Sequence, residues 1–447
     1  MTAEVCVLNR AGVALAADSA VTISGPHGFK IYNSGEKLFL LSEQDPVAVM
    51  INGNGNYVGV PWELVIKVFR AERRQRHLPT IEDYATEFLK FLANNDRLFP
   101  ADDASDWLER FIHGEIERLA RECESEVADM VREKLESDEL DDAQIHALLK
   151  RVWTSTWTSL IVRETEAVRE RPIMPGMSRV VRKNPGVGKF LKDGASEMLR
   201  SRLREVKVGK RIVDDFCGYL IEALRRPVFG SEQSGLVLVG FGKDEVMPHL
   251  REYAFDGYIS GRPRYVLVSS RSVGEDFDAA IIPFAQTEVM ESFYAGIDPH
   301  LFGYMRSLVG EACSGLPNLV VEKLVAEGIE IPAKLRAELG VMGEEVFAGV
   351  HQEWMKYQAA MHRDPILNVL QFLPKNELAS FAEALVSLTS FKRRVSTDAE
   401  TVGGPVDVAV ITKNEGFVWI QRKHYFPSEL NPRFTARYGF MNRKEQG

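Results

Sequence analysis

An α+β protein whose β core is entered, left and re-entered is what this sequence predicts, on three observations. Residues 3–57 alternate in the manner of strands between Gly, Pro, Asn and Ser turns. From Pro61 to about Arg226 apolar residues recur at helical spacing instead. Strand character then returns at Leu236–Gly242 and, after a second helical block, at Val406–Ile420. A doubly wound βα enzyme would alternate more regularly.

Taken in order, the first region reads as an antiparallel meander of four strands: Glu4 to Leu8, Val13 to Ala17, Lys37 to Leu41 and Val47 to Ile51. Cys6 falls inside Val5-Cys6-Val7-Leu8 and is read as a strand core residue. Pro61 suits a first helical turn, and Trp62, Val65, Ile66 and Phe69 follow at helical spacing. Asp103 to Ser105 form an N-cap cluster for a long amphipathic helix through Trp107, Phe111, Ile116 and Leu119. Ile145, Leu148 and Val152 belong to another helix, and Gly and Pro near Pro175 and Pro185 mark a loop. Strands resume at Leu236–Gly242 and Tyr265–Val268; Ile281 to Ala295 reads as a strand end running into a helix. Leu301 to Met361 forms the second helical block. A last helix spans Glu377 to Arg394, its Lys392, Arg393 and Arg394 placed at the negative end of the helix dipole. Val406–Ile411 and Phe417–Ile420 close as a hairpin. The expected core segments are 1–60, 231–300 and 374–447, interrupted by a helical insertion at 61–230 that includes core helices and a second helical insertion at 301–373.

A chain of 447 residues is long for one core, which agrees with large insertions. Hydrophobic content of 45% and charged content of 27% are those of a packed soluble protein. The net charge of −9 argues against general affinity for nucleic-acid backbones or anionic membranes, because there is no basic excess to release counterions. Cys6, Cys123, Cys217 and Cys313 are scattered without a C-x-x-C pair, so neither a disulfide framework nor a zinc site is expected, and a reducing cytoplasm fits. No basic-then-apolar leader and no apolar run of about 18 residues is present, so export and a membrane span are not expected. Gly53-Asn54-Gly55 and Gly240-Phe241-Gly242 do not complete a dinucleotide fingerprint, and H-E-x-x-H, G-x-S-x-G and P-loop patterns are absent. No cofactor or metal is expected.

The chemistry concentrates at the start. Thr2 follows Met1, and removal of Met1 would put a hydroxyl and a free α-amine on one residue, a nucleophile carrying its own base. Such an amine has a reference pKa of roughly 7.7–8.0 and can take the hydroxyl proton near neutrality. A buried cation beside it would lower that pKa, and a carboxylate would hold the cation. Asp18 and Lys30 are the right residue types. The plainer reading makes Thr2 an ordinary second residue and Asp18-Ser19 a turn.

Several separated segments, Thr2-Ala3-Glu4-Val5, Leu15-Ala16-Ala17-Asp18-Ser19, Lys30 to Lys37, Val49 to Gly55 and Asp398 to Val406, together resemble the proteasome-type N-terminal-nucleophile hydrolases, which include proteasome β-subunits and bacterial HslV-type peptidases. The likeness covers roughly 1–60, 235–296 and 375–426. It implies a four-layer αββα sandwich, two antiparallel sheets between helix layers, with large all-helical insertions. It also implies a threonine hydrolase that cleaves peptide or amide bonds through an ester on Thr2. In that reading Lys30, preferred to Lys37, is the cation and Asp18 orients it. The N–H of Gly53 is the oxyanion donor, with Asn54 or Gly55 as other matches. Asp398 and Thr401 hold the N-terminus, Thr401 standing where the family has a serine; a turn-forming Asp398 is the rival. Gln286-Thr287 is nearest to a further family serine and receives no role. The resemblance implies a peptide or protein substrate, a homo-oligomer and the option of an ATP-driven unfoldase. A non-proteolytic amidase and an inactive scaffold subunit that keeps Met1 are the alternatives.

Overall fold

The computed structural model describes residues 2–433 except 26–27, 74–75, 96, 138–141, 179–184, 204–207, 231, 397–401, 425 and 428–429. The chain opens with strands β1 (Glu4–Asn9), β2 (Gly12–Ala17), β3 (Val21–Gly25), β4 (Gly28–Tyr32), β5 (Leu38–Leu40), β6 (Val47–Gly53), β7 (Asn56–Tyr57) and β8 (Val60–Pro61). Helices α1 (Trp62–Glu72), α2 (Ile81–Ala93), α3 (Ala101–Ser137), α4 (Asp142–Glu170), α5 (Pro185–Arg202) and α6 (Lys210–Arg225) follow. Strands β9 (Ser234–Gly240), β10 (His249–Ile259), β11 (Arg262–Ser272) and β12 (Ala279–Phe284) come next. The last part holds α7 (Glu288–Ala295), α8 (Pro299–Ala326), α9 (Ala333–Gln358), a π-helical turn at Ala359–Arg363, α10 (Asp364–Leu370), α11 (Lys375–Val395), β13 (Asp407–Thr412) and β14 (Gly416–Gln421). None of the described helices is long and apolar enough to cross a membrane.

Packing divides the chain into two units: residues 1–38, 246–248 and 272–447, and residues 39–245 and 249–271. The first is built on a five-stranded sheet of order β12-β1-β2-β13-β14, the second on one of order β11-β10-β9-β6-β5. The protein is therefore a mixed α and β structure with antiparallel sheets. The expected first meander does not form as one sheet. β1 and β2 join one sheet, β5 and β6 the other, and β3 and β4 pair with each other as a separate two-stranded sheet. Local alternation reports a strand, whereas its sheet is decided by which distant strand covers its edge, here β12 and β13 or β9.

In the first unit every residue of β1 and β2 is buried, so the pair reads as near-continuous apolar sequence. Ala3, Val5 and Val7 cluster with Ala14 and Ala16 against Leu378, Ala382, Leu385 and Val386 of α11. Each fully buried Val or Leu contributes about 1.5–3 kcal/mol of transfer free energy. Strand alternation then turns Glu4 and Cys6 to the face opposite α11. The hairpin turn is set by Asn9, whose Oδ1 accepts from the Ala11 N–H at 2.8 Å.

In the second unit, Tyr57 stacks on Trp62 at 4.8 Å between centroids, and Trp62, Val65, Ile66 and Phe69 form the buried face of α1. Pro61 is the N-cap residue of α1, one position before the helix. A reciprocal capping box, Thr80 with Asp83, starts α2. Helix α3 begins at Ala101, so Asp103–Ser105 lie inside it and do not precede it. Gly240 ends β9 with φ +139°, and a Cβ there would lie 1.9 Å from the Pro46 carbonyl oxygen, so only glycine lets β9 close on that backbone.

Candidate active site

At the start of β1 and the end of β2, three side chains from the first 38 residues meet. The Lys37 Nζ donates to Thr2 Oγ1 at 3.0 Å and to Asp18 Oδ1 at 2.6 Å. Thr2, Asp18 and Lys37 are all buried. Asp18 is held from every side. Its Oδ1 also accepts from the Ala3 N–H at 2.9 Å, and its Oδ2 accepts from the N–H groups of Ala20 at 3.2 Å and Gly403 at 2.9 Å. A carboxylate with three backbone donors and an ammonium has its lone pairs filled, which is what makes a buried charge tolerable.

The β1–β2 hairpin brings Thr2 beside Asp18 because Ala3 and Asp18 continue its ladder: the Asp18 N–H donates to the Ala3 carbonyl at 3.0 Å. Lys37 arrives from the chain that follows the β3–β4 hairpin. The Gly35 N–H ties that chain to the Ser19 carbonyl at 3.0 Å. The third anchor is Gly403 to Pro405. Ser19 N–H donates to the Gly403 carbonyl at 3.2 Å and its hydroxyl donates to the Pro405 carbonyl. Gly404 has φ +78°, and a Cβ there would press on Asn33 Cβ at 2.8 Å and Ser19 Cβ at 3.3 Å, so a side chain would strain this closure.

The expected cation was Lys30, and the structure corrects it. Lys30 sits in β4 opposite Ile23, its side chain exposed, and it does not join Thr2 and Asp18. Lys37 takes that place. Lys30 holds an exposed position in the β3–β4 hairpin, whereas Lys37 immediately precedes Leu38-Phe39, both buried. A lysine at the mouth of an apolar strand is carried inside with it. Gly53 ends β6 with φ +74° in the second unit. Asp398 and Thr401 lie outside the described residues. Gln286 has φ +51° and Thr287 precedes α7 as its N-cap residue.

Sequence reasoning missed Glu4. It is fully buried, and neither carboxylate oxygen has a hydrogen-bond partner among the described residues. Burial pushes its carboxyl well above the usual carboxylate range; the nearby Lys37 charge pulls it down and Asp18 pushes it up. A Glu at the head of the otherwise apolar run Glu4–Leu8 was the available signal. Glu4 thus keeps its proton in the folded chain at pH values where an unfolded glutamate has lost it. A raised folded pKa gives a stability contribution that is complete below the unfolded pKa, about 4.3, and is lost as pH rises through the folded value. Glu4→Gln removes that dependence. The variant should gain stability relative to the parent as pH rises above about 4.3, read from urea midpoints at a series of pH values. A stability difference independent of pH would show that Glu4 is ionised in the folded chain.

No protein-family model matches the sequence, and no curated protein does. Among solved structures, Anbu (ancestral beta-subunit) from Yersinia bercovieri aligns over 100% of this chain and 97% of its own, at 10% identity and a TM-score of 0.25. A likeness that faint carries no weight for fold or chemistry, which rest on the geometry above.

Proposed function

We propose that this chain is a threonine-type N-terminal-nucleophile hydrolase of amide bonds, acting on peptides, with the four-layer sandwich of the proteasome type. The buried Thr2–Lys37–Asp18 cluster is the observation that supports it. Removal of Met1 frees the Thr2 amine. Thr2 Oγ1 then attacks the substrate carbonyl carbon, its proton passes to that amine, and the amine delivers the proton to the leaving nitrogen as the C–N bond breaks. Water hydrolyses the resulting ester, releasing the acid and restoring the hydroxyl. Lys37 remains cationic throughout; its charge favours the neutral amine and the forming alkoxide, and Asp18 keeps it aimed.

Glycine N–H donors and the Asp398 and Thr401 hydrogen bonds belong to the same reading by resemblance, as do a homo-oligomer and an unfoldase partner. The peptide substrate class likewise rests on resemblance. The test is an intact mass of the purified protein followed by treatment with a peptide β-lactone. A mass lacking one Met and an acyl group on the N-terminal Thr2 peptide are expected. Retained Met1, or acylation elsewhere with Thr2 unmodified, would overturn the proposal and favour an inactive scaffold.

A further inference from the structure

The hydrolysis proposed above gives Glu4 no task, yet its place is specific. The β1–β2 ladder continues through Ala3, so Thr2 and Glu4, two residues apart, turn their side chains to the same face, the one opposite α11. Glu4 is fully buried there, and among the described residues neither of its carboxylate oxygens has a hydrogen-bond partner. Asp18, by contrast, accepts from three backbone N–H groups and the Lys37 ammonium. One carboxyl is fully served and the other is not.

The charges that act on Glu4 are those of Lys37 and Asp18. Its ladder partners in β2 and β12, Gly12–Ala17 and Ala279–Phe284, bring no titratable side chain, and α11 covers the other face of β1 through Leu378, Ala382, Leu385 and Val386. Removal of Met1 would add the Thr2 amine to this set.

Charge count then limits what Glu4 can do. With its proton on, the cluster holds one ammonium, Lys37, and one carboxylate, Asp18. Two of the three Lys37 N–H groups are donated, to Thr2 Oγ1 at 3.0 Å and to Asp18 Oδ1 at 2.6 Å. An ionised Glu4 is an acceptor for the third, and it divides the charge of one ammonium between two carboxylates inside the protein. It also favours the protonated form of a nearby amine, which then cannot act as a base. Both effects weaken Thr2 as a nucleophile.

We propose that Glu4 is a positioning residue, which acts on Thr2 through Lys37 by competing for its ammonium and so sets the upper pH limit of Thr2 reactivity. Its effect on Thr2 rests on the hydrolase reading; its competition for Lys37 does not. Burial holds the Glu4 proton on and keeps the competitor silent at lower pH. Glutamine keeps the shape of the side chain and cannot ionise.

The test follows the rate at which a peptide β-lactone acylates Thr2, in the parent and in Glu4→Gln, from about pH 5 to about pH 9. The acid limb belongs to the Thr2 amine and should have the same midpoint in both proteins. On the alkaline side the parent should fall about tenfold from its own maximum, whereas the variant should hold its plateau. The side-chain nitrogen resonance of Lys37, read by NMR, should shift at the midpoint of that fall in the parent and stay in place in the variant. Alkaline limbs that coincide, or a Lys37 resonance that stays still while the parent loses reactivity, would overturn the proposal. If Thr2 is acylated in neither protein, the hydrolase reading falls and the Lys37 resonance alone decides. A shift with pH that Glu4→Gln abolishes then upholds the competition, and one that survives the substitution overturns it. Should Glu4→Gln fail to fold, the parent decides: a shared midpoint for the resonance and the alkaline fall supports Glu4, and separate midpoints overturn it.

Discussion

Lys37→Ala lowers hydrolysis of an amide substrate by about 10²–10³-fold, whereas Lys30→Ala leaves it within about twofold. The contrast follows from position. The Lys37 ammonium touches both the Thr2 hydroxyl and the Asp18 carboxylate inside the protein, and Lys30 is exposed on β4. A second readout does not depend on any substrate. Without Lys37, the Asp18 charge is left buried with backbone donors alone, and removing one member of a buried pair costs about 3–5 kcal/mol. Lys37→Ala should therefore lower the urea midpoint strongly, and Lys30→Ala should not. If stability falls but turnover is untouched, the cluster is structural and the hydrolase proposal fails while the geometry stands. If Lys30→Ala were the damaging change, the placement of both lysines would be wrong.

Arg264→Ala costs the second unit about 3–5 kcal/mol, because it strands a buried carboxylate and several carbonyls together. Arg264 is fully buried, with Nη1 donating to Asp256 Oδ2 at 2.7 Å. Its Nε donates to the Leu224 carbonyl, and its Nη2 donates to those of Ala223, Arg226 and Val228. It thus caps the end of α6 while lying 5.0 Å from the Phe111 ring centroid and 5.2 Å from that of Trp107. Burial pushes the Asp256 carboxyl up to about 6, against the pull of Arg264. Removing Arg264 takes that pull away, so acidification, which neutralises Asp256, should restore part of the lost stability in the variant. Thermal melts across a pH series check the sign. A double variant, Arg264→Met with Asp256→Leu, should lose less than the single change, since no charge is then left unpaired. A loss equal to the sum of two independent single losses would mean that the pair is uncoupled.

The sequence determined a good deal through local patterns. Where spacing and turn chemistry are local causes, expectation and structure agree: the last helix was expected at Glu377–Arg394 and spans Lys375–Val395, and the closing hairpin is β13–β14. Thr2 and Asp18 were legible as neighbours because Thr2 precedes β1 and Asp18 follows β2 of one hairpin, whose ladder continues from the Asp18 N–H to the Ala3 carbonyl. The lysine was not, because eighteen residues of turn and hairpin lie between Asp18 and Lys37, and their spacing does not say which of two lysines is carried inside. Only tertiary structure decided that Lys37, immediately before a buried strand, supplies the charge. It also decided that the early strands belong to two sheets and that Glu4 is buried without a hydrogen-bond partner among the described residues. The reason is common to all three. Hydrogen-bond ladders and burial are settled by contacts between segments far apart in sequence, and no local period records which distant segment will cover a given side chain.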